Sequence, residues 1–97
     1  MAFVQIIEFQ TSKPDEMQEV GGEWERATEG RRTVRRRILC EDRDRPGHFF
    51  NVVFFDSYEA AMKNSSLPET EGLSAKLVNL TDGPPTFYNL DVVEDRS

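Results

Sequence analysis

Apolar and polar positions alternate in a way that lays out the elements before any residue is counted. Phe3 to Gln10 is rich in β-branched and aromatic residues and predicts a first strand. Thr11 to Glu16 then carries helix-start chemistry. Ser12 with Asp15 fits a capping box, Pro14 is tolerated in a first turn, and the acids complement the helix dipole there. Met17, Val20, Trp24 and Ala27 recur at helical spacing, and Gly30 suits a C-terminal cap. Gly21 and Gly22 fall mid-helix, where each costs about 1 kcal/mol relative to alanine. They weaken or bend the helix, or admit the close approach of backbone or ligand.

Arg32 to Cys40 predicts a second strand, polar at its start and apolar at its end. Glu41 to Gly47 is a turn, with Pro46-Gly47 its strongest signal, and His48 to Phe55 is a third strand. Asp56 with Glu59 fits a capping box that opens a short helix through Tyr58, Ala61 and Met62. Asn64 to Pro68 interrupts that helix. A new one begins with Ser66 as cap and Glu69 three positions on, then runs along Leu73, Leu77 and Leu80. Asp82 to Pro85 ends it, and Thr86 to Val93 predicts a fourth strand.

The order β-α-β-β-α-β is that of a ferredoxin-like α+β domain with an antiparallel sheet, here one domain over residues 1–97. Strands one and three take its centre, and both helical regions lie on one face. The third strand is apolar on both faces: Phe49, Val53 and Phe55 point one way, and Phe50, Val52 and Phe54 the other. Two helical layers cannot cover both. A second copy of the same sheet is the simplest cover, so the expected partner is the chain itself, as a homodimer.

Charge narrows the picture. The net charge is −6, yet Arg31 to Arg45 holds seven arginines against three acids, leaving the rest of the chain at −10. An acidic domain with one basic strand is a poor holder of a phosphate backbone, and arginines on an edge strand discourage sheet-to-sheet aggregation. No nucleic-acid partner is expected. No stretch reaches the eighteen or so apolar residues of a membrane span, and Met1 to Glu8 lacks the features of a signal peptide. Cys40 is the only cysteine, which suits a reducing compartment, and a cytoplasmic location is the expectation.

Candidate chemistry begins with two amides. Gln5 is the polar residue among Phe3, Ile7 and Phe9, and Asn51 the polar residue among Phe49, Val53 and Phe55. On adjacent central strands both can face one apolar cavity, with Phe49 and Phe55 as aromatic walls for a flat ligand. A ligand oxygen then partners the amides; otherwise each bonds the other, a water or a nearby side chain. Tyr88 and Asp91 are the candidate proton acceptors on the fourth strand, against packing for the tyrosine and solvation for the aspartate. His48 lies three positions from Asn51 and is expected on the opposite face, exposed or facing a dimer partner. Cys40 has no setting for nucleophilic or metal chemistry, and no Gly-rich phosphate loop is present.

The run from Val52-Val53-Phe54-Phe55 through Asp56-Ser57-Tyr58-Glu59-Ala60-Ala61-Met62 to Lys63-Asn64-Ser65-Ser66-Leu67-Pro68 resembles the dimeric α+β barrel superfamily, particularly its antibiotic-biosynthesis monooxygenase-like branch. The resemblance implies two sheets packed face to face and a pocket between the sheet and helices of each subunit. It also implies a cofactor-free oxygenase acting on a hydroxylated aromatic or polyketide-like compound. In haem-degrading relatives an asparagine, a tryptophan and a histidine stand where Gln5, Phe55 and Asn64 stand here. The resemblance therefore carries no haem, and no metal or cofactor is expected; it adds Asn64 as a ligand-binding candidate.

Two other classes compete. A dimeric domain that binds a small molecule without catalysis has the same requirements. An RNA-recognition motif has the same element order but needs a basic residue, glycine and alternating aromatics on its third strand. Arg45-Pro46-Gly47-His48-Phe49-Phe50-Asn51 places proline in the way and the aromatics side by side.

Overall fold

The computed structural model describes residues 1–97. Seven elements follow in the predicted order: β1 (Phe3–Gln10), α1 (Pro14–Ala27), β2 (Val34–Glu41), β3 (His48–Phe55), α2 (Tyr58–Ser65), α3 (Pro68–Val78) and β4 (Thr86–Asp91). The sheet runs β2-β3-β1-β4 with every neighbouring pair antiparallel, so β1 and β3 are central as expected.

The helix starts differ from the capping boxes predicted. Lys13, not Ser12, is the N-cap of α1 and makes no side-chain bond. Its backbone N–H instead donates to Thr11 Oγ1 at 3.0 Å, and the Thr11 hydroxyl donates to the Leu80 carbonyl. The start of α1 is thus tied to the segment after α3. Ser57, not Asp56, caps α2 by accepting from the Ala60 N–H at 3.1 Å. Asp56 is drawn away by Arg35, whose guanidinium donates to its Oδ2 at 2.5 Å. α3 begins at Pro68 behind Leu67 rather than at Ser66, and Glu69 pairs with Arg31.

Residues paired across an antiparallel ladder share a face. Phe3 pairs with Phe55, Gln5 with Val53, Ile7 with Asn51 and Phe9 with Phe49, which places all eight on one face. That face carries the helices: Phe3, Val53, Phe55 and Ala61 of α2 form the core cluster, each at most 6% exposed. Phe49 stacks on Phe9 with ring centroids 5.6 Å apart. On the bare face lie Val4, Ile6, Phe50, Val52 and Phe54, all half-buried. Only nine of the 97 residues are buried, so this chain by itself completes just one side of its sheet.

On α1, Met17, Val20 and Trp24 are half-buried as the helical stripe predicts, but Ala27 is exposed and Thr28 is fully buried. Gly21 is buried too, and the Arg37 side chain reaches across from β2 to lie over it. A β-carbon at Gly21 would meet Arg37 Nη1 at 3.5 Å, an ordinary contact, and its φ is not positive. Replacing Gly21 by alanine should therefore stabilise the chain by about 1 kcal/mol, read as a higher urea midpoint at unchanged slope. A lower midpoint would mean that the helix backbone there is tighter than this packing implies.

Candidate functional site

Two neighbouring rows of the covered face hold four polar side chains among their apolar ones. Arg37, Val53, Gln5 and Asn89 stand in one row across β2, β3, β1 and β4, and Leu39, Asn51, Ile7 and Phe87 in the next. Asn51 is diagonal to both Gln5 and Arg37, a Cα separation of roughly 7–8 Å. Gln5 and Asn51 therefore share the face expected of them, but they do not bond each other. Gln5 Nε2 donates to Asn89 Oδ1 at 3.1 Å. Asn51 Oδ1 is buried and has no hydrogen-bond partner within the protein. Leaving such an acceptor unpaired costs about 1–3 kcal/mol, so it is an unmet demand for a donor.

The aromatic walls are placed otherwise than expected. Phe49 is 6% and Phe55 5% exposed, so they fill the core rather than line an open hollow. Close packing of the central strands against Ala61 takes the space that an apolar cavity would need. Two clefts in the helical layer are polar. One of about 300 Å³ lies on the outer side of α1 between Glu25, Arg26, Glu29 and Arg32. Another of about 250 Å³ lies between α1 and β2, with Gly21 and Trp24 on one wall and Val34 and Arg37 on the other.

The remaining candidates separate. Tyr88 pairs with Ile6 and so points to the bare face, away from both amides. Its hydroxyl donates to Glu8 Oε1 at 2.9 Å, and Glu8 Oε2 lies 3.5 Å from His48 Nε2. The hydrogen bond to Glu8 holds the Tyr88 phenol above its ordinary pKa, the reverse of what a proton acceptor needs. Asp91 is on the covered face but exposed at the sheet edge. It stands two strands across from Asn51 and four residues along, roughly 13 Å in the strand direction alone. Neither reaches the amides. Asn64 is 7% exposed and its Oδ1 accepts from the Thr33 N–H at 3.4 Å, which ties α2 to the chain entering β2.

The arginine run also divides. Arg31 pairs with Glu69, Arg32 with Glu25 and Arg35 with Asp56, while Arg36 and Arg37 belong to none of the molecule's ion pairs. The hydrogen bonds from Arg31 and Arg35 hold the Glu69 and Asp56 carboxyls below their usual range. Sequence reasoning missed Arg37 as a residue of the covered face. Its alternation with Leu39 was a usable signal, masked because a bulge between Val34 and Arg36 breaks the count from the strand's start. No group of three His, Cys, Asp or Glu side chains is placed to hold a metal ion, and no helix is long and apolar enough to cross a membrane.

Tyr88 offers a direct check of this geometry. With Tyr58 replaced by phenylalanine, the remaining phenol should titrate above about 10 by tyrosinate absorbance. Glu8→Gln should bring it down, because the charged acceptor that favours the protonated phenol is gone. A titration indifferent to residue 8 would remove the Tyr88–Glu8 contact.

No protein-family model and no curated protein matches this chain. Solved structures do. Rv0793 from Mycobacterium tuberculosis superposes with a TM-score of 0.81 at 16% identity, over 100% of both chains. A mutant of SnoaB, a cofactor-independent oxygenase from Streptomyces nogalater, gives 0.82 at 13% identity over 97% of this chain and 95% of its own. An antibiotic biosynthesis monooxygenase gives 0.75 at 18% identity over 97% and 100%. At these identities the likeness is one of fold. The chain has the ferredoxin-like α+β fold of the antibiotic biosynthesis monooxygenase-like structures, as its strand-to-helix run suggested.

Proposed function

We propose that this chain works as a homodimer that binds a planar, hydroxylated or keto aromatic compound between its sheet and α1, with Asn51 as the recognition residue. The observation that carries the reading is the buried Asn51 Oδ1 without a partner. A ligand hydroxyl donates to that oxygen, and the amide nitrogen can donate to a ligand carbonyl or oxyanion. Gln5, diagonal to it and held by Asn89, presents a second amide to the same ligand. Access requires α1 to lift from β2. Gly21-Gly22 makes α1 the helix least costly to distort, and the cleft between α1 and β2 is where entry begins.

The nearest chemistry is oxidation of a quinol by dioxygen with no help beyond the site itself, as befits the fold shared with a cofactor-independent oxygenase. A deprotonated quinol passes an electron to dioxygen. One oxygen atom ends in the product and the other leaves as water with two substrate hydrogens. The protein's part is to hold the substrate and stabilise its oxyanion by the Asn51 amide. Binding without catalysis is the second reading. It is favoured by one observation: neither Tyr88 nor Asp91 is placed to take the substrate's proton.

The dimer follows from Val4, Ile6, Phe50, Val52 and Phe54 on the bare face, because full burial of each such side chain is worth about 1.5–3 kcal/mol. Light scattering at micromolar concentration should give twice the chain mass, and Val52→Asp should give the monomer. A wild-type monomer would overturn the dimeric reading.

Ligand binding is tested by a thermal-shift screen of quinols and polyketide-like phenols, followed by oxygen uptake on each hit. Asn51→Leu should keep the dimer and weaken a hit by on the order of 1 kcal/mol, one hydrogen bond. Affinity indifferent to changes at both Asn51 and Gln5 would refute the site. Binding without oxygen uptake would decide for the non-catalytic reading.

A further inference from the structure

The cleft between α1 and β2 is an anomaly of charge. In a chain of net charge −6, its about 250 Å³ is lined by four arginines and a single carboxylate, Glu25. Two of the four are already engaged. Arg35 is held by Asp56, and Arg32 lies 6.0 Å over the Trp24 ring while donating to the Glu25 carbonyl at 2.6 Å. Arg37 is different. It forms no ion pair, yet its guanidinium lies folded against the helix at Gly21, whose missing side chain leaves room for it.

An unpaired arginine with nothing to hold it normally extends into water. Here it stays exposed but lies beside Gly21 of α1, and Arg32, Arg35 and Arg36 crowd positive charge around it. Such a concave, one-signed surface focuses field lines on an incoming anion. The guanidinium is a planar fork of donors that matches a carboxylate bidentately. Trp24 and Val34 supply the apolar walls for the body that carries it. On the covered face Arg37 is diagonal to Asn51, the residue with the unmet acceptor.

We infer that the ligand is an acid: a planar hydroxylated aromatic carboxylate whose hydroxyl meets Asn51 and whose carboxylate meets Arg37. This rests on the proposed ligand site and adds the charged arm to it. The breadth of the arginine strand does not suit a nucleic-acid backbone, because three of its arginines are committed to carboxylates and the cleft is narrow. Of the strand's two arginines outside every ion pair, Arg36 pairs with Phe54 of the bare face, and Arg37 alone brings its fork to the covered face beside the aromatic wall.

The test is calorimetric titration with two probes that differ by one carboxylate group, hydroxynaphthoate and naphthol, at low and moderate salt. Wild-type protein should prefer the acid by roughly tenfold, the factor expected for one charge-assisted pair, and the preference should shrink as salt rises. Arg37→Gln should abolish the preference while leaving naphthol affinity unchanged, and Arg37→Lys should retain part of it. Gly21→Leu, which displaces the guanidinium from its place on α1, should mimic Arg37→Gln. Dimer mass and circular dichroism report whether each variant is folded. Equal wild-type affinity for the two probes, or an equal loss of both in Arg37→Gln, overturns the acid arm and leaves the hydroxyl site standing. Failure of both probes to bind the wild type strikes the ligand site itself, and the acid arm falls with it.

Discussion

Along β3 the side chains change face at every residue, and apolar groups occupy both faces. Phe49, Val53 and Phe55 go under the helices; Phe50, Val52 and Phe54 go to the bare side. A central strand of that kind binds its sheet to two covers, and the chain provides one. The other consequences descend from this. The core is small, because Phe50, Val52 and Phe54 lie outside it. The single polar break in the covered row, Asn51, is then held among neighbours that give it no partner.

The covered face is not a purely apolar layer. Gln5 and Asn89 satisfy one another, Asn64 is tied to Thr33, and the Thr11 hydroxyl bridges the start of α1 to the end of α3. In each case a polar side chain joins two segments that are distant in sequence, which fixes their relative placement at little cost in desolvation. Asn51 and Arg37 depart from the pattern. They share a face, lie on neighbouring strands, and lack the partners that the other polar groups possess. Of the two, only Asn51 Oδ1 is a buried group without a partner, since Arg37 is exposed to water.

α1 illustrates the tension between stability and access. Its apolar stripe and acidic first turn promote the helix, while Gly21 and Gly22 weaken it, Gly21 at the point facing β2. Arg37 lies beside Gly21 on the side of α1 that faces β2. By contrast α2, capped by Ser57 and packed through Ala61 into the core cluster, is the fixed part.

The sequence by itself determined the element order, the central place of β1 and β3, the parity of Gln5, Asn51 and His48, and the apolar character of both faces of β3. These are consequences of periods of two and of 3.6, which are local and survive in any environment. Capping was less legible, because Ser12, Asp56 and Ser66 all have the right chemistry and only competition chooses among them. Arg35 takes Asp56, and Thr11 serves two partners at once. Only the tertiary structure decided that Tyr88 binds Glu8 on the far side of the sheet, that Phe49 and Phe55 close the core rather than wall a cavity, and that Arg37 lies free over Gly21. Those outcomes depend on strand register, one bulge and the packing of distant segments, and none of these is encoded in the spacing of residues along a single element.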